Sequence, residues 1–108
     1  MRGYALKQNM SKLVRDKIPT IIEESGKTCK WHKAGTAEYN LRLFAKMLEE
    51  VDEFREDPSV EEAADIYEVF NALLLNWDID ICDVIFCADN KKASRGSFKE
   101  GIVLDSVE

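Results

Sequence analysis

The stretch from Leu41 to Leu74 constrains the fold of this chain more than any other. Leu41, Phe44, Leu48 and Val51 recur three and four residues apart, the period of a helix with one apolar seam. Thr36 offers an N-cap for such a helix over 37–55. Asp57-Pro58 stops it, because a residue before proline disfavours the helical region. Ser59-Val60-Glu61-Glu62 then has the spacing of a capping box and starts a second helix at once. That helix carries Ile66, Val69, Phe70, Leu73 and Leu74 and reaches about Asn76. So short a link makes the two helices antiparallel neighbours.

Two further helices flank this pair. One spans about Asp16 to Ser25, with Pro19 in its first turn and Gly26 available to close it in a left-handed conformation. Residues 27–35 read as irregular or extended. The other runs from about Asp80 to Ser94, with Gly96 suited to its C-terminal cap. Ile81, Val84, Ile85 and Ala88 form one apolar face of that helix, and Cys82, Phe86 and Ala93 another. A helix apolar on most sides is buried on most sides, and in a small chain that points to a subunit interface. The expectation is an all-α bundle completed by oligomerisation, with one domain over 10–108. Residues 1–9 differ in character and read as an extension, with Met10 as a natural start.

Composition removes several function classes. The hydrophobic fraction of 45% and charged fraction of 33% suit a globular domain. A net charge of −6 argues against broad electrostatic binding to nucleic acid or anionic membrane. It leaves room for a phosphorylated ligand, since a divalent cation bridges carboxylate and phosphate. No apolar run approaches the ~20 residues of a membrane span, and no apolar signal core opens the chain. Cys29, Cys82 and Cys87 have neither disulfide-framework nor zinc-site spacing, so they read as small core residues in a reducing cytoplasm.

Carboxylates concentrate where the two central helices meet. Glu49, Glu50 and Glu53 fall within one arc of about 100° on the first of them. Glu62 and Asp65 are neighbours on the second. A short hairpin aims both sets at one volume, where like charges raise one another's pKa and a hard cation relieves them. The alternative is a solvated acidic face, with Lys46 pairing Glu50 and with Glu61 favouring the helix start. Asp52 and Glu61 fit that alternative. Glu62 does not, because it shares a direction with Ile66, Val69 and Leu73.

This ordered set, EExxE followed by ExxD, resembles the metal motif of the MazG-like and phosphoribosyl-ATP pyrophosphohydrolase superfamily. The stretch Glu61-Glu62-Ala63-Ala64-Asp65-Ile66-Tyr67 is similar to its second motif helix. Lys12-Leu13-Val14-Arg15-Asp16-Lys17-Ile18-Pro19 and the closing Arg95-Gly96-Ser97-Phe98-Lys99-Glu100-Gly101-Ile102-Val103-Leu104 resemble the two ends of a small single-domain branch. The resemblance spans nearly everything from Met10 onward. It implies an all-α fold assembled across a homodimer or tetramer. It also implies hydrolysis of a nucleoside triphosphate between the α and β phosphates, to monophosphate and pyrophosphate. Carried over by motif position, Glu50, Glu53, Glu62 and Asp65 would hold Mg2+, with Mn2+ as a substitute. Glu49 would bind metal or orient the attacking water. One departure is the spacing: eight residues separate Glu53 from Glu62, short for the superfamily.

Phosphates also need cations. Lys91 and Arg95 stand four apart, in line with Val84 and Ala88, and are the first candidates; the alternative is simple complementation of a helix C-terminus. Lys12 and Arg15, with Lys17, are the second group. His32, the one histidine, has no required role. Trp31, Tyr39 and Trp77 suit core or interface packing better than base stacking. Two readings compete with triphosphate hydrolysis: phosphoribosyl-ATP as substrate, and a helical interaction module that keeps the acids without turnover.

Overall fold

The computed structural model describes residues 11–108, so the expected extension over 1–9 and the start at Met10 lie outside the described residues. Four helices and no strand occur among them: α1 (Ile18–Glu24), α2 (Thr36–Glu56), α3 (Val60–Asn76) and α4 (Ile81–Arg95). The all-α expectation holds. Among the described residues, no helix is long and apolar enough to cross a membrane.

Each boundary has a local cause. Gly26 ends α1 at φ +91°, and the Lys27 N–H donates back to the Ile22 carbonyl at 3.3 Å. The N-cap of α2 is Gly35, extended at ψ 178°, rather than the expected Thr36. The Gly35 carbonyl already accepts the Tyr39 N–H at 2.8 Å, so Thr36 lies inside the first turn and no side chain caps it. Asp57, at φ −145° and ψ 79° ahead of Pro58, closes α2. The Ser59 hydroxyl accepts the Glu62 N–H at 3.2 Å, as the capping-box spacing predicts. At the far end of α3, Asp78 adopts a left-handed φ of 54°, and the Ile79 N–H donates to the Leu74 carbonyl at 2.9 Å. Asp80 caps α4 by accepting the Cys82 N–H at 2.8 Å, and Gly96 closes it at φ +87°.

The chain forms two compact units that divide between Leu73 and Leu74, within α3. In the first, Ile18 and Leu43 are the buried apolar residues, and α2 buries one face through Leu43, Lys46 and Glu50. The seam of Leu41, Phe44, Leu48 and Val51 is not that face. These residues are exposed, Leu41 at 74% and Leu48 at 68%. Their spacing reports an apolar face, but the buried arc lies about 150° further round the helix. There the strap before α1 and the start of α3 supply partners, as described below.

In the second unit, α4 has no buried residue; Phe86 is exposed and so are Cys82 and Cys87. The expectation that these two cysteines pack in a core is therefore corrected. Their positions follow the faces of α4, which the single chain leaves uncovered. Cys29 is half-buried, its Sγ 3.9 Å from the Pro19 carbonyl oxygen. Trp31 and Trp77 are likewise exposed rather than packed in a core.

Candidate metal centre

The site lies in the first unit, where α2 folds back into α3. Glu50 comes from α2, six residues before its end; Glu62 and Asp65 come from the first turns of α3. Ligand oxygens of these three residues all lie within 4.8 Å of one another. Glu50 is 5% exposed and Glu62 7%. The Ser59 cap fixes the backbone at Glu62 and so contributes to aiming its side chain.

Burial is the largest influence on Glu50 and holds its carboxyl above the usual carboxylate range. Asp65 and Glu53 push the same way, and Lys46 opposes them. Glu50 Oε2 is buried and accepts no hydrogen bond. A buried carboxylate oxygen without a donor is costly, and a cation removes that cost. Three carboxylates suit a hard cation such as Mg2+, which keeps positions for water and phosphate. In donor chemistry the residues present therefore fit a hard divalent cation.

The other acids of the motif are placed differently. Glu53 is half-buried on α2, close enough to influence Glu50. Glu49 faces cations instead: its Oε1 accepts from Lys12 Nζ at 3.1 Å and from Lys46 Nζ at 3.2 Å. Burial raises the Glu49 pKa, but the two ammonium groups outweigh it and hold the carboxyl below its usual range. Glu49 and Glu53 also line, with Ala45, Leu48, Asp52 and Glu56, a depression of about 430 Å³. Every lining residue is on α2, so this is a groove along one helix rather than an enclosed pocket.

Two of the expected phosphate-binding cations are drawn to these acids. Arg15 Nη2 donates to Asp65 Oδ1 at 2.7 Å, and Lys12 reaches Glu49. The strap that carries them is clasped to α2 by Arg42, whose Nη1 donates to the Ser11 carbonyl at 2.8 Å. Arg42 also pairs with Glu38, which takes His32 at 2.9 Å on the exposed side. Lys91 and Arg95 belong to the second unit, where both are exposed on α4.

Sequence reasoning named Lys46 only as a pair for Glu50 on a solvated face, a pair the structure shows but buries, and passed over Arg42. The signal for Lys46 was present: it is three residues before Glu49, four before Glu50, and on the same arc as Glu50. Arg42 signalled only its i,i+4 pair with Glu38; its bond to the Ser11 backbone carbonyl has no sequence signature. Compared with known proteins, the chain matches no family model, no curated protein and no solved structure.

Proposed function

We propose that this chain is a magnesium-dependent nucleoside triphosphate pyrophosphohydrolase of the MazG-like kind, cutting the α–β phosphoanhydride to give a monophosphate and pyrophosphate. The observation that carries this reading is the convergence of Glu50, Glu62 and Asp65, two of them buried and one with a buried oxygen lacking any hydrogen bond. Three carboxylates gathered together, two of them out of water, are unfavourable for stability alone. They make chemical sense when a cation shares the volume.

Glu50, Glu62 and Asp65 would hold Mg2+, with Glu53 beside them. When bound, the ion supplies charge neutralisation at the phosphate oxygens and acidifies a water molecule. Glu49 is the proton acceptor in this reading. Its lowered pKa keeps it ionised at neutral pH, and its cation partners fix its direction. Arg15 and Lys12 sit on the acids and can turn to the anionic substrate, with Lys91 and Arg95 as further candidates on α4. Water adds across the α–β bridge, Glu49 receives its proton, and pyrophosphate leaves with the bonding pair.

The exposed seam on α2 and the apolar faces of α4 support assembly as a homodimer or tetramer. The test is pyrophosphate release from canonical and modified nucleoside triphosphates and phosphoribosyl-ATP, with Mg2+ or with chelator. Chelator-sensitive release with equimolar monophosphate supports the reading, and the ranking names the substrate. No release at high enzyme concentration sinks it in favour of a helical interaction module, for which the Arg15–Asp65 and Lys12–Glu49 pairs would be structural.

A further inference from the structure

Among the described residues, Lys46 is the one buried cation, 7% exposed in the middle of α2. Its Nζ lies 3.2 Å from Glu49 Oε1 and 3.3 Å from Glu50 Oε1. One ammonium therefore bridges two carboxylates that are adjacent in sequence. An ordinary i,i+4 pair on a helix surface contributes little and needs no burial. A lysine taken out of water is costly unless its partners are well placed, so stabilising the helix is a poor reason to bury this one.

The bridge treats its two partners differently. Glu49 Oε1 is shared by Lys46 and Lys12. Glu50 meets Lys46 through Oε1, while its Oε2 is buried with no hydrogen bond, and a ligand oxygen of Glu50 lies within 4.8 Å of those of Glu62 and Asp65. We infer that Lys46 is a positioning residue that divides the work between these neighbours. By holding Oε1 of Glu50 it presents Oε2 to the cation. By holding Glu49, together with Lys12, it keeps that carboxylate out of the ligand set and available as a proton acceptor. This inference rests on the metal reading proposed above.

The experiment is a Mn2+ titration of the full chain, followed by the loss of the free-ion paramagnetic resonance signal. It compares wild type, Glu49→Gln, Glu50→Gln, Lys46→Met, Lys46→Arg and the Lys46→Met/Glu49→Gln double variant. In the wild-type background, Glu49→Gln should change the dissociation constant by less than about 3-fold, and Glu50→Gln should weaken it by about 10-fold or more. In the Lys46→Met background Lys12 alone still holds Glu49, which is then freer to coordinate, so adding Glu49→Gln should now cost about 10-fold. Lys46→Arg, which keeps the charge, should restore the wild-type pattern. Equal effects of Glu49→Gln in both backgrounds would overturn the assignment. So would equal losses from Glu49→Gln and Glu50→Gln, a comparison that does not depend on Lys46→Met folding. No Mn2+ binding by the wild-type chain would remove the metal reading itself, and this inference with it.

Discussion

On one face of α2, Leu43, Lys46 and Glu50 are buried; on the other, Leu41, Phe44, Leu48 and Val51 are exposed. Two of the three buried side chains are charged, whereas the four seam residues left exposed are apolar. Burial of apolar area drives folding at about 25 cal/mol per Å², whereas burial of charge opposes it. A helix selected for monomer stability alone would be turned the other way. On the charged face Lys46 pairs with Glu49 and Glu50, and Lys12 reaches Glu49 from the segment before α1. The apolar face is the one that the proposed assembly would cover. In the function proposed above, chemistry would set the inward direction of α2 and assembly would account for the outward one.

The sharpest way to break this contrast is at the buried face. Glu50→Gln or Glu62→Gln should lower kcat by about 10³-fold, because a positioned charge that stabilises the transition state is lost. Circular dichroism should show the helices intact. Full turnover in either variant would leave the buried acids without a chemical role.

Next comes the exposed face. The wild-type chain should elute as a dimer or larger in size-exclusion chromatography with light scattering. Leu48→Asp should weaken that assembly by about 100-fold, from about 1.5 kcal/mol of lost burial in each copy. A monomeric wild type would show that the seam serves something other than self-association.

Mg2+ should stabilise the protein. At about 100 times its dissociation constant it adds about 2.7 kcal/mol, and for a chain of this size that raises Tm by about ten degrees or more. Scanning calorimetry with and without Mg2+ checks this, and Glu50→Gln should abolish the shift. The smallest expected effect is Ser59→Ala, which removes the cap at the start of α3 and should cost about 1 kcal/mol in urea unfolding.

The same contrast marks what could be read in the sequence. Helix boundaries were legible to within about two residues, because Pro58, Ser59, Gly26 and Gly96 act through local backbone chemistry. Thr36 misled because the helix begins one residue earlier, with Gly35 as its cap. The convergence of Glu50 with Glu62 and Asp65 was legible from helical geometry and a short turn. Glu49 shares that arc on a helical wheel, yet its carboxylate turns to Lys12 and Lys46, and a wheel carries no information about the strap. The apolar seam was visible as a pattern. Periodicity does not say whether an apolar face meets its own chain or another, so the burial expected for Leu41, Phe44, Leu48 and Val51 does not occur within the single chain.

The cap at Ser59 has a consequence for dynamics. Glu62 is the third residue of α3, in the turn where helices fray most readily, yet its side chain belongs to the acidic cluster. Opening that turn disperses the cluster, and filling the cluster holds the turn shut. Occupancy by a cation should therefore register as slower hydrogen–deuterium exchange at the amides of Ala64, Asp65 and Ile66, relative to those of mid-α2. The end of a helix would then report on whether the site is loaded.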